Sequence, residues 1–222
     1  MLLLLFDIDG TLLQRASGEH ARALREAAGR VHGVDVVSID SVEYAGRTDR
    51  AIARDLLAAA GVTSVDDAWI SQAVEGYARL CPPDLSAKVA PGMVELLEAL
   101  AARPSDFRLS LVTGNLEPIA RLKLARAGVG RFFAEGQGGF GSDHEDRGRL
   151  PAIARARASD PPWPRERTVV IGDTPRDIEC ARVDEVRVAA VATGSYAVEA
   201  LADADAVVDD ARSLLPVLND WL

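Results

Sequence analysis

Three short segments bring carboxylates, a hydroxyl and glycine together at the ends of apolar runs. Asp7-Ile8-Asp9-Gly10-Thr11 follows the first run. Two carboxylates one residue apart, with a glycine permitting a sharp exit, form a costly cluster of like charge that a bound cation would relieve. The same residues also read as a turn in which Asp and Gly make local hydrogen bonds. Thr113-Gly114-Asn115 follows a second run, where a hydroxyl beside exposed backbone N–H groups can bind an anion or cap a helix. Gly172-Asp173-Thr174-Pro175-Arg176-Asp177 follows a third. Its two carboxylates suit a cation, but Asp is also favoured in a first helical turn by the helix dipole.

The elements that must position these residues alternate. Strand-like runs occur at Leu2–Phe6, Phe107–Val112, Thr168–Ile171, Val186–Val191 and Ala206–Val208. Helical patterns occur at Met93–Ala102, Pro118–Ala127, Pro175–Arg182 and Ser195–Ala202, and another helical stretch follows Arg149. This alternation predicts an α/β fold, a Rossmann-like parallel sheet with helices on both faces. Ligands of such sheets bind outside the carboxyl ends of the strands, so all three segments can converge there. Residues 14–88 break the rhythm and read as helices Glu19–Val31, Asp49–Ala60 and Val65–Leu80. They predict an inserted α-helical domain, with 1–13 and 89–222 forming the core.

Composition narrows the class. The chain has 222 residues, 48% of them hydrophobic, and a formal charge of −9. That apolar content excludes disorder as the main state, and the acidic balance argues against a nucleic-acid partner. Cys81 and Cys180 are too few for a disulfide framework. Lys88 and Lys123 are the only lysines beside 23 arginines. The apolar run at Met1–Phe6 ends too early for a signal peptide, and no run approaches the roughly 20 residues of a membrane span. A soluble, cytoplasmic protein without a membrane partner is expected, as a monomer or homodimer.

Taken in order and spacing, residues 7–11, 113 and 172–177 resemble the motifs of the haloacid dehalogenase superfamily, whose members insert a helical cap after the first motif. The resemblance covers nearly the whole chain. It implies that Asp7 is a nucleophile forming an aspartyl-phosphate and that Asp9 is the general acid and base, its proton affinity raised by Asp7. It further implies Mg²⁺ held by Asp7, the Asp9 carbonyl and Asp173, with Asp177 orienting the shell. Thr113, Gly114, Asn115 and a basic residue would bind the phosphoryl group. Lys88 precedes the second motif, and Lys123 lies ten residues past Thr113, roughly 15 Å along a helix. The basic role therefore passes to Arg147, with Arg149 the alternative. Superfamily members that displace halide lack an acid at the position of Asp9, so Asp9 points to phosphoryl transfer.

The resemblance thus implies an Mg²⁺-dependent phosphatase acting on a small phosphorylated metabolite. A phosphomutase or a non-catalytic, cap-mediated interaction protein are the alternatives. Tyr44-Ala45-Gly46-Arg47-Thr48-Asp49 resembles the cap of phosphoglycolate phosphatase-like members. Arg47, Thr48 and His20 are the candidate substrate contacts. Against that, Thr48 and Asp49 also read as a helix cap, Arg47 as a solvated side chain and His20 as a packing residue. Trp69, Trp163, Trp221 and Cys180 read as packing residues.

Overall fold

A computed structural model covers residues 1–222. Strand β1 (Leu2–Phe6) is five apolar residues with no exposure on either face. Side chains alternate along a strand. Leu2, Leu4 and Phe6 accordingly join one apolar cluster, and Leu3 and Leu5 join another. The remaining strands are β2 (Phe107–Thr113), β3 (Gly139–Phe140), β4 (Thr168–Gly172), β5 (Arg187–Val191) and β6 (Ala206–Val208). All pairings are parallel, in the order β3-β2-β1-β4-β5-β6. Phe6 is level with Leu111 on one side and Ile171 on the other. The residues that follow β1, β2 and β4 therefore leave the sheet side by side.

Helices cover both faces, as expected for parallel strands. The larger cluster takes apolar residues from α4 (Met93–Ala101), α5 (Glu117–Arg126) and α8 (Leu214–Asp220). The other takes them from α6 (Leu150–Ala158) and α7 (Pro175–Val183). Between β1 and α4 run α1 (Gly18–His32), α2 (Asp49–Ala59) and α3 (Ala68–Leu80). Ala23, Leu24 and Ala27 of α1 meet Trp69, Ala73 and Tyr77 of α3 in the larger cluster. Thr48 caps α2, its Oγ1 accepting from the Ala51 N–H at 3.2 Å. No helix is long and apolar enough to cross a membrane.

Four elements differ from expectation, among them α8, which lies outside the expected helices. Ser195–Ala202 forms only a short 3₁₀ turn at Val198–Leu201. The chain before it is drawn to the sheet edge instead: Thr193 Oγ1 donates to the Gly10 carbonyl at 2.7 Å. Gly194 also packs so tightly on Asp173 that a Cβ would lie 1.7 Å from its Oδ2. Helix α3 starts at Ala68 rather than Val65, where the Asp66 carboxylate accepts from the Ala68 N–H. β3 has only two residues and no apolar run to mark it.

One buried ion pair ties α6 to the end of α7. Arg155 donates from Nε and Nη2 to both oxygens of Asp184, at 2.7 and 2.8 Å, and from Nη1 to the Trp163 carbonyl. Removing one partner strands a buried charge. Asp184→Ala is expected to cost about 3–5 kcal/mol of unfolding free energy, read from urea denaturation; an unchanged midpoint would contradict it.

Candidate active site

The three segments do converge. Asp7, Asp173 and Asp177 are all buried, and each puts a carboxylate oxygen within 4.8 Å of the others. Gly10 turns the chain away from β1 at a φ of 97°, a conformation open to glycine. It also lets Asp173 come close, since a Cβ there would stand 2.1 Å from Asp173 Oδ2. Thr11 donates from Oγ1 to Asp173 Oδ1 at 2.9 Å. Asp177 closes a capping box with Thr174, whose N–H and hydroxyl donate to its Oδ2 at 3.0 and 2.7 Å.

Arg147 enters this cluster. Its Nη2 donates to Asp7 Oδ1 at 2.9 Å and also to Asp177 Oδ1. Arg149 points elsewhere, with its side chain 69% exposed beside Asp146. Burial pushes the Asp7 carboxyl up to about 7 against the pull of Arg147, and Asp177 and Asp9 add to the rise. Burial likewise pushes Asp173 up to about 8, helped by Asp7 and Asp177. One arginine thus leaves negative charge uncompensated among three carboxylates. Hard oxygen donors at this spacing fit a small divalent cation.

Asp9 behaves differently from expectation. Burial acts to raise its carboxyl, but the Lys123 ammonium, with His20 and hydrogen bonds from Lys123 and Asn115, holds it below the ordinary value. Lys123 Nζ donates to Asp9 Oδ1 and Oδ2 at 2.8 and 2.6 Å, and Asn115 Nδ2 donates to Oδ2 at 3.0 Å. The adjacent Asp7 therefore does not raise Asp9; the nearer cation decides.

Arg147, not Lys123, meets Asp7, but Lys123 does reach the site, at Asp9. Helix α5 begins only at Glu117, so Lys123 lies roughly 9 Å along its axis, and helical side chains lean back toward the N-terminus. Its side chain is fully buried, with one more hydrogen bond, to His20 Nδ1 at 3.1 Å, and the Tyr77 ring centroid 6.0 Å from Nζ. A lone lysine in the helix that follows a site loop, in a chain with only two, is the signal the sequence offers.

The other expected residues divide. Thr113 is buried at the end of β2, and its Oγ1 accepts from the Asn115 N–H at 3.4 Å. Gly114 serves as a docking point: its carbonyl accepts from the Asp49 N–H at 2.8 Å, and a Cβ would lie 2.0 Å from the Arg47 carbonyl. Asn115 lines the same cavity as Asp7 and steadies Asp9 through its side-chain amide. Arg47 stands just before α2 and is not solvated: its Nη2 donates to Asp55 Oδ2 on that helix at 2.5 Å. Thr48 is a strut as well as a cap, donating to the Glu145 carbonyl at 2.6 Å. His20 is buried and hydrogen-bonded to Asp49 as well as to Lys123.

Above these groups lies a cavity of about 610 Å³, with Asp7, Asp9, His20, Thr113, Arg147 and Asp173 among its walls. It is far larger than a metal ion and its waters require, so it leaves room for an organic ligand.

Solved structures share the fold. A predicted phosphoglycolate phosphatase from Haemophilus somnus 129PT superposes with a TM-score of 0.67 at 20% identity, covering 98% of this chain and 97% of its own. A hydrolase from Pseudomonas syringae gives 0.67 at 20%, covering 99% of each chain. CbbY from Rhodobacter sphaeroides, in complex with xylulose-(1,5)bisphosphate, gives 0.63 at 19%, covering 95% of each. No curated protein is significantly similar in sequence. The sequence profile of the haloacid dehalogenase-like hydrolases matches residues 4–182. With that match spanning the motifs whose side chains meet at the sheet edge, the chain belongs to the haloacid dehalogenase-like hydrolase family.

Proposed function

We propose that the protein is a Mg²⁺-dependent phosphatase that hydrolyses a small phosphomonoester through an aspartyl-phosphate, with α1–α3 serving as a cap over the site. The convergence of Asp7, Asp173, Asp177 and Arg147 beside a separately held Asp9 carries this reading. Asp7 attacks phosphorus, and Arg147 offers fixed N–H donors to the phosphoryl oxygens, a matter of positioning and charge neutralisation. Asp7, Asp173 and Asp177 would hold Mg²⁺, which supplies positive charge to the transferring phosphoryl group. Asp9 rests ionised, the form that takes a proton from water when the acyl-phosphate is cleaved. An entering phosphate dianion raises its proton affinity by like charge. Asp9 then takes up a proton from solvent and gives it to the leaving oxygen, and the proton it later takes from the attacking water restores the balance when it returns to solvent.

Purified protein is expected to release inorganic phosphate from a panel of phosphomonoesters with Mg²⁺ and to lose that activity with chelator. Activity insensitive to chelator would overturn the metal assignment. Phosphate retained on an isomerised sugar would identify a mutase.

The raised carboxyls also set a pH dependence. Asp7 and Asp173 favour the folded state most below the ordinary 3.8, and that contribution fades as pH rises through about 7 to 8. In chelator the Tm should fall between about pH 5 and pH 8. Mg²⁺ should restore it increasingly as the carboxylates ionise. A flat Tm across that window, or one that Mg²⁺ does not move, would contradict the reading.

A further inference from the structure

Lys123 and Asp9 belong to a larger closed circuit. His20 Nδ1 accepts from Lys123, which leaves Nε2–H to donate to Asp49 Oδ2 at 3.0 Å. The same Asp49 oxygen accepts from the Leu116 N–H at 2.7 Å. Leu116 adjoins Asn115, whose side-chain amide returns to Asp9. The ring therefore runs Asp9, Lys123, His20, Asp49, Leu116, Asn115 and back to Asp9. Two of its members, His20 on α1 and Asp49 on α2, come from the helices between β1 and α4; Lys123 lies on α5, and Asp9, Asn115 and Leu116 lie on the loops that follow β1 and β2.

Each link fixes the next. Asp49 opens α2, and its own N–H is pinned to the Gly114 carbonyl. The Asp49 carboxylate selects the His20 tautomer, because a ring nitrogen that must donate to it leaves the other nitrogen to accept. The accepting nitrogen engages one donor of the Lys123 ammonium. The ammonium's orientation about its flexible stem is then set while it holds both Asp9 oxygens. Tyr77 packs edge-on against the His20 ring, with centroids 5.5 Å apart, and limits its rotation.

We propose that His20 and Asp49 are positioning residues for Asp9: through Lys123 they aim its carboxyl group at the leaving oxygen, and through Leu116 they tie that aim to the loop that follows Thr113. The inference rests on the phosphatase reading for its kinetic test. Protonation of the leaving oxygen matters most for a poor leaving group, so the two substrates to compare are glycerol 2-phosphate and 4-nitrophenyl phosphate. A correctly placed general acid contributes about 10²–10⁴-fold.

In His20→Ala and Asp49→Ala, kcat on glycerol 2-phosphate should fall by about 10²-fold, and on 4-nitrophenyl phosphate by only about threefold. His20→Gln, whose amide can both accept and donate, should recover most of the lost rate on the alkyl ester. Equal losses on both substrates, or no recovery by Gln, would overturn the proposal. Wild-type protein inert on both esters with Mg²⁺ would instead defeat the phosphatase reading. The ring then has a readout that needs no turnover. With only two lysines in the chain, acetic anhydride labelling followed by mass spectrometry compares Lys123 with Lys88. Lys123 should stay protected in His20→Gln and become labelled in Asp49→Ala; equal protection in both overturns the ring as the device that holds it.

Discussion

Asp7→Asn is expected to abolish phosphomonoester turnover, with kcat falling by about 10⁴-fold or more, while the protein stays folded. The amide keeps the size and shape of the side chain but cannot donate an electron pair to phosphorus as a carboxylate does. A 10⁴-fold loss corresponds to about 5 kcal/mol in the barrier. Stability should move the other way. Asp7 is held up to about 7 by burial and by its acidic neighbours, so its ionised form strains the metal-free site at neutral pH. The neutral amide relieves that strain, and the Tm of the variant in chelator should equal or exceed the wild-type value. Rapid quench with a radiolabelled phosphomonoester would show label on the wild-type protein and none on the variant. Turnover by Asp7→Asn near the wild-type rate would eliminate Asp7 as nucleophile.

Arg147→Met should damage both activity and stability. The guanidinium meets two buried carboxylates, Asp7 and Asp177. Leaving them uncompensated costs about 3–5 kcal/mol, the scale of a broken buried ion pair. Loss of a fixed donor to the phosphoryl oxygens should also lower kcat by about 10²–10³-fold. The two effects separate with metal: a divalent cation among the same carboxylates should recover much of the stability and little of the rate. Arg149→Met is the control. Its side chain is 69% exposed with only a loose partner, and surface changes of that kind stay within about 0.5 kcal/mol. Comparable losses in the two variants, by urea denaturation and by initial rates, would refute the assignment of Arg147.

Much of the frame was legible because its signals are local. Five apolar residues ending at Asp7 mark a central strand, and Gly172 to Asp177 mark a strand–helix junction with its cap. Arg147 was legible only through the family resemblance, since Arg147 and Arg149 are alike in sequence and differ only in which way each faces. The contact of Lys123 with Asp9 is not legible from a distance along a helix, which ignores both where the helix begins and how far a lysine reaches. Asp49 carried a plausible local role as a capping residue, and nothing nearby announces its contact with Leu116, 67 residues away. Arg47 shows the converse: a cation in a suggestive motif is engaged by Asp55 on the helix that follows it.

The placement of β1 bears on how the chain assembles. Its strand partners begin at Phe107 and Thr168, so the strand made earliest acquires its second neighbour only after some three-quarters of the chain exists. Contacts of such long sequence separation slow folding. Until they form, Leu2–Phe6 is an uncharged, wholly apolar strand with two bare edges, the kind of segment that pairs with copies of itself. Dilution during refolding, or a chaperone that shields this segment, should therefore govern yield more than the stability of the finished fold.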